Sequence, residues 1–497
     1  MDYYSTRGID KLYTAAEVIM TGLAPDGGLF IPAGPWPPVP LKDLAGMSYT
    51  ALAAAIIHPF LKQFSKAEVE SLVQEAYGGT SFDHPDIAPL HRLTDSLYFL
   101  ELWHGPTCAF KDLALQFLPH LLRKSAEKTG EETTAVILTA TSGDTGKAAL
   151  EGFSDVPGTK VIVFYPLEGV SEIQRRQMIT QKGKNVHVVA VRGNFDHTQA
   201  GVKELLAEGS LKHKMSSRGL KFSSANSINW GRLLPQMVYY FSAYLDLRRS
   251  GELKPGEKVN FVVPTGNFGN ILAGFYASRM GLPVHRLICA ANRNHVLTDF
   301  FREGRYNRNR PFFRTLSPSM DILVSSNLER LLFELGGRDP SRIRAWMNRL
   351  LENGSYRLNA ALQKTLTALF WSHYATDDET LAAIGKTYRE HRYLLDPHTA
   401  VARAVYEKYR AATGDRVKTI IVSTASPFKF AESVAHALLP PEQFAGRTAL
   451  EIAPLLAKTT GLDLPTPLLD LASQPVRHDT VIERSAMRTE VLDHLNL

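Results

Sequence analysis

Short β-branched runs alternate with stretches of helical periodicity through the middle of the chain. Residues 134–138, 161–165 and 186–191 read as strands, each followed by a helical segment. The alternation resumes at 259–263, 286–290 and 419–422. Such an order predicts an α/β core, with parallel sheets flanked by helices. Residues 1 to about 95 mix helical stretches with proline-rich turns such as Pro35-Trp36-Pro37-Pro38, and read as a separate, mainly helical N-terminal unit. The stretch 363–410 reads as mainly helical, and no internal repeat or low-complexity tract is visible.

One charge interrupts the apolar pattern. From Phe110 onward, Phe110, Leu113, Ala114, Phe117, Leu118 and Leu121 recur at helical spacing. The row Lys111, Leu115, Leu118, Leu122 is apolar except at the lysine, while Asp112, Gln116, His120 and Arg123 form the polar stripe. A lysine held against an apolar wall loses stabilisation of its charge, so its pKa falls from roughly 10.4. A neutral amine can attack a carbonyl and hold a Schiff base. The same row also admits a lysine that snorkels past Leu115 to water.

Three loops then stand where a strand gives way to a helix. Thr139, Thr141, Ser142 and Thr145 surround Gly143 and Asp144, more hydroxyls than one helix cap requires, and predict an anion site. Pro264-Thr265-Gly266-Asn267-Phe268-Gly269-Asn270 lets several backbone N–H groups converge on one phosphate. It has neither the Gly-Lys-Ser/Thr of a Walker loop nor the dinucleotide glycine pattern, which favours a lone phosphate over a nucleotide. Thr424, after the strand at 419–422, can offer a neutral hydroxyl to a heterocyclic nitrogen. Each loop taken alone is also compatible with an ordinary cap or turn.

Together these pieces resemble the pyridoxal-phosphate enzymes of fold type II, and within them the threonine synthase family. Further segments carry that resemblance: Tyr4-Ser5-Thr6-Arg7-Gly8, Asp26-Gly27-Gly28-Leu29-Phe30, Ser224-Ala225-Asn226-Ser227-Ile228-Asn229 with Arg232, residues 317–330, Asp396-Pro397-His398-Thr399-Ala400, and residues 423–429. The resemblance implies two α/β domains around pyridoxal 5'-phosphate, with residues 96–430 as the catalytic core and about 134–225 as its smaller mobile part. Residues 1–95 then form the family's N-terminal domain and residues 431–497 a helical extension. It implies that Lys111 carries the cofactor, that Gly266, Asn267, Phe268, Gly269 and Asn270 bind its phosphate, and that Asp144 and Thr424 contact it. Thr141, Ser142, Thr145, Asn226, Ser227 and Arg232 are the implied substrate contacts. The implied reaction is conversion of O-phospho-L-homoserine and water into L-threonine and phosphate.

Two positions depart from the pattern. Asp144 stands where many fold type II enzymes have an asparagine beside the cofactor's phenolic oxygen, and a carboxylate there repels a phenolate unless one is protonated. Ser426 stands where the family's Thr-Ala-His-Pro version has histidine.

Bulk properties narrow the setting. The 497 residues exceed one ordinary core, and 44% hydrophobic with 21% charged residues suits a globular enzyme without metal. A net charge of +6 invites a nucleic-acid reading, but only Arg302, Arg305, Arg308 and Arg310 cluster, and a solvated basic loop accounts for them. The longest apolar stretch, 51–57, is too short for a membrane span, and the polar N-terminus shows no secretory signal. Two cysteines make no disulfide framework, so the expected location is cytoplasmic. Monomer and homodimer both remain open. The alternatives are a serine/threonine dehydratase-like or cysteine-synthase-like enzyme, which needs no Arg232 cluster, and a non-catalytic paralogue that binds cofactor or metabolite.

Overall fold

The computed structural model describes residues 1–497, apart from the side chain of Asp196. A six-stranded sheet runs in the order Phe370–Tyr374, Val284–Ala291, Val259–Pro264, Thr419–Ser423, Leu97–Glu101, Leu90–Arg92. All its pairs are parallel except the last. Val259–Pro264 and Thr419–Ser423 are buried at every position, as central parallel strands covered on both faces must be. A second sheet, parallel throughout, runs Val481–Ile482, Val186–Val191, Thr159–Pro166, Thr134–Ala140, Leu220–Ser223. The α/β class with helix-flanked parallel sheets is therefore as read from the sequence, with strand ends displaced by one or two residues.

Three stretches differ from the sequence reading. The 363–410 segment is not helical throughout, because Phe370–Tyr374 adds an edge strand parallel to Val284–Ala291. Its aromatic residues suit a half-buried pleated surface better than a helix face. The N-terminal stretch carries a three-stranded antiparallel sheet beside its helices. Tyr3, Trp36 and Phe60 pack with Trp230 and Tyr276 in one aromatic cluster, so this stretch shares a core with the large sheet. Finally, the helix after Lys111 is broken into Asp112–Leu115 and Leu118–Thr129. Asp112, assigned to a polar stripe, is fully buried: it turns back to accept from the Thr107 backbone N–H at 2.8 Å and the Thr107 hydroxyl at 2.6 Å.

The helix break has a partner. A Cβ on Gly152 would lie 1.9 Å from the Leu115 carbonyl oxygen. Helix Asp144–Gly152 of the smaller sheet thus packs backbone to backbone against the Lys111 segment. That contact sets the site residues of the two sheets against each other.

Candidate active site

Lys111 ends a loop that is strapped to the strand end at 423. Phe110 N–H donates to the Thr424 carbonyl at 2.9 Å, and Ser426 N–H donates to the Cys108 carbonyl at 3.0 Å. Cys108 adopts a left-handed backbone (φ 57°), which turns the chain sharply before Lys111. The Lys111 side chain is 9% exposed, with Nζ 3.2 Å from Asp144 Oδ2 and 3.3 Å from Ser319 Oγ. Burial lowers its pKa and outweighs the nearby carboxylate, and Lys429 and Arg232 push the same way. The snorkelling alternative is thereby removed, since the amine points inward.

Asp144 bridges two lysines. Lys429 Nζ lies 2.8 Å from Oδ1, and Gln174 Nε2 donates to the same oxygen at 2.8 Å. Burial opposes ionisation, yet Lys111 and Lys429 together hold the carboxyl well below its usual range. Asp144 is therefore an ionised carboxylate held between two lysine nitrogens. Lys429 is completely buried and also donates to the Thr107 carbonyl at 2.8 Å. Sequence reasoning missed it, although a lysine between Phe428 and Phe430 is as anomalous as Lys111 in its helix row.

The glycine loop faces the same centre. Phe268 is left-handed (φ 66°), so the loop delivers its amides to the start of helix Gly269–Arg279. A Cβ at Gly266 would meet the Ser319 carbonyl at 2.8 Å, whereas one at Gly269 would meet nothing nearer than Asn327 Nδ2 at 3.5 Å. A Gly269 side chain would therefore make only ordinary contacts, with Asn327, Ser227 and Gln236. Asn327 ties the loop to Ser227, donating to the carbonyls of Asn267 and Ser227, each at 3.2 Å. The Asn270 carboxamide oxygen accepts from Tyr239 at 2.7 Å and Tyr240 at 2.8 Å, which leaves Asn270 Nδ2 buried and without a partner.

The remaining sequence-derived residues fall into two groups. Thr141 is engaged in its own turn, its hydroxyl oxygen accepting from Gly143 and Gly146 N–H groups at 3.0 and 2.8 Å. Ser142 and Thr145 flank it, half-buried. Thr424 is buried and anchored by its amide to Thr399 Oγ1 at 3.3 Å. Asn226 and Ser227 are half-buried. Arg232 is 2% exposed, donates through Nη1 to the Ala225 carbonyl, and leaves Nε unpartnered. No carboxylate pairs with it among the described residues. Burial alone lowers its pKa to about 10. Arg330, equally buried, shows the contrast: its guanidinium reaches the Phe30 and Ile228 carbonyls and Asn327 Oδ1.

Comparison with known proteins bears on this arrangement. Residues 2–77 match the family described as threonine synthase N terminus, 73–425 that of pyridoxal-phosphate dependent enzymes, and 399–486 threonine synthase, C-terminal. A threonine synthase of Pseudomonas aeruginosa is 42% identical over 443 residues, 88% of this chain and 90% of that protein. The chain belongs to the threonine synthase family. Human threonine synthase-like 1 is also 42% identical, over 437 residues and 85% of this chain, but the match spans only 58% of that longer relative. The crystal structure of pyridoxal-phosphate-bound threonine synthase from Brucella melitensis superposes with a TM-score of 0.87 at 36% identity, covering 99% of both chains. The yeast threonine synthase structure gives 0.88 at 34% identity, covering 100% of this chain and 99% of that one. Family membership makes pyridoxal 5'-phosphate the cofactor to test against the site. The residues fit it: a buried amine whose pKa is lowered, a glycine-lined helix N-terminus, and unpartnered donors at Asn270 Nδ2 and Ser426 Oγ.

Proposed function

We propose that the chain converts O-phospho-L-homoserine and water into L-threonine and phosphate. Bound pyridoxal phosphate supplies an electron sink that stabilises carbanions on the substrate skeleton. Lys111 would carry it, the backbone of residues 266–270 would hold its phosphate, and Asp144 and Thr424 would contact its ring.

This chain's own residues supply the rest. Lys111, once displaced by the substrate amine, is a neutral base held in a buried site, suited to move protons at the substrate's carbons. Protons leave Cα and Cβ, the phosphate leaves Cγ with its bonding electrons, and protons return to Cγ and Cα. Water's hydroxyl ends on Cβ and its remaining proton on the released phosphate. Asp144 and Lys429 fix the charge around the amine, and burial keeps competing water away. Asn226, Ser227, Arg232 and the hydroxyls of Thr141, Ser142 and Thr145 would bind the substrate's anionic ends.

The observation that carries the proposal is the unpaired Arg232 guanidinium. A buried cation without a counter-charge costs several kcal/mol, and a bidentate phosphate is the ligand its fork matches best. One glycine loop cannot hold two phosphates, and Arg232 supplies the second site. A dehydratase acting on serine or threonine has no phosphate to place there.

Purified protein given phosphohomoserine should release phosphate and threonine in equal amounts. Arg232→Ala should keep the yellow cofactor yet lower kcat/KM by about 10² or more, the scale of a lost charge-assisted contact. Equal losses on phosphohomoserine and on unphosphorylated serine would assign Arg232 to structure instead. We place the activity in the cytoplasm, a reading supported by two buried free thiols, Cys108 and Cys289.

A further inference from the structure

Asp396 and His398 lie behind the turn that carries Ser319. Both are buried, at 1% and 3% exposure. His398 Nε2 accepts the backbone N–H of Ser319 at 3.2 Å, and a backbone N–H can only donate. The ring proton therefore sits on Nδ1, which donates to Asp396 Oδ1 at 2.9 Å. Asp396 is locked in turn, because its carboxylate also accepts from the His398 backbone N–H at 2.9 Å and from the Thr399 hydroxyl. The edge of the ring packs on Phe430, with centroids 4.9 Å apart, next to Lys429.

Ser319 sits on the short turn Pro318–Met320, and its hydroxyl is where this chain leads. Ser319 Oγ accepts from Lys111 Nζ at 3.3 Å and donates to Asp144 Oδ2 at 3.3 Å. Its carbonyl touches the position of a Gly266 side chain, so the same turn abuts the glycine loop. The single side-chain contact on the Ser319 amide comes from His398.

We propose that the Asp396–His398 pair is a positioning device that fixes the Ser319 hydroxyl between Lys111 and Asp144. Neither residue touches the reacting atoms; both act through the turn. The assignment deepens the reading that Lys111 carries the cofactor and rests on it. Lys111 Nζ is also faced by Lys429 and Arg232, and His398 by Asp144 and Asp321, so each of these stays unaltered in the test.

The test is a pH titration of the absorbance of the lysine-bound cofactor in the holoenzyme. Ser319→Ala removes an acceptor for the Lys111 nitrogen's proton, and the midpoint should fall by roughly half to one pH unit, the scale of one hydrogen bond. His398→Leu should shift it in the same sense, and His398→Gln, whose side-chain carbonyl can still accept from the Ser319 amide, by less than half as much. The double variant of Ser319→Ala with His398→Leu should match Ser319→Ala alone, because both act on one hydroxyl. If His398→Leu does not fold, Asp396→Asn takes its place, since asparagine still caps helix Pro397–Thr413 but gives up the charge that holds the ring. A wild-type midpoint in the histidine variants, or shifts that add in the double variant, would overturn the proposal. Wild-type protein lacking a lysine-bound chromophore would instead refute the Lys111 reading.

Discussion

Lys111 and Asp112 are neighbours with opposite problems. Reduction of the holoenzyme with borohydride, followed by peptide mapping, should place the cofactor on Lys111; an adduct on Lys429, the other buried lysine near Asp144, would reassign the site. Asp112 carries a carboxyl that burial pushes up to about 6, despite the two bonds from Thr107. Its folded pKa lies above the unfolded value near 3.9, so the folded state holds its proton longer. Between pH 4 and 6 the native state binds more protons than the unfolded one, and this group's contribution to stability falls as pH rises. Asp112→Asn should lose that slope. The stability gap between wild type and variant should narrow in favour of the variant by on the order of 2–3 kcal/mol from pH 4 to pH 7. Denaturant melts at both pH values check it; parallel curves would show that Asp112 ionises normally. The contact of Asp112 with Thr107 was not legible in the sequence, because helical periodicity describes a helix face and not a side chain folded back onto the preceding loop.

At the scale of elements, two glycines mark different requirements. A Gly152 side chain would run into backbone, whereas one at Gly269 would make only ordinary side-chain contacts. Gly152→Ala must push helix Asp144–Gly152 away from Leu115, with a cost typical of overpacking, about 1–3 kcal/mol or more, and with Asp144 displaced from Lys111. Gly269→Ala meets no protein atom closer than 3.5 Å and gains helix propensity. Its cofactor-free thermal midpoint should be unchanged or slightly raised, while cofactor retention after dialysis drops markedly. Full retention would detach the loop from phosphate binding. The strand–helix order around these loops was readable because β-branched runs and helical periodicity differ over six or more residues. The edge strand Phe370–Tyr374 was not, since five residues between two helices carry too little period. Ser319 and His398 escaped for another reason: their relation to Lys111 exists only after strands from distant parts of the chain are laid side by side.

Across the whole molecule, the smaller sheet has its own core, built from Val136, Leu138, Ile162, Phe164, Val189 and Val191 with Met487 and Val491. Residues 481–482 pair with Ala190 and Val191 at one edge, and Met487, Val491 and Leu495 of helix Met487–Leu495 pack into this core. His187 stacks on His494 with centroids 4.2 Å apart and meets Glu490 at 2.6 Å. Burial, then His187 and Lys160, lowers the His494 pKa to about 4. A histidine depressed in the fold costs stability as pH falls from about 6.5 toward 4, because the unfolded chain takes up its proton first. Protection factors at residues 487–495, corrected for the intrinsic exchange rate, should therefore fall at pH 5 relative to pH 7.5, ahead of those in the central strands. Uniform protection at both would leave His494 without a role in holding this helix.

The closing strand also sets a schedule. Val191 ends the strand that Val481 and Ile482 complete, and Val481 follows it by 290 residues (481 minus 191). At about 5–20 residues per second, the ribosome needs roughly fifteen to sixty seconds to make that interval. Throughout it, the apolar strand at 186–191 presents an unpaired edge in a crowded cell, the kind of surface that invites pairing with another chain. Only Ala190 and Val191 gain partners when residues 481–482 arrive, so the strand order leaves the last pairing of this edge to the end of synthesis.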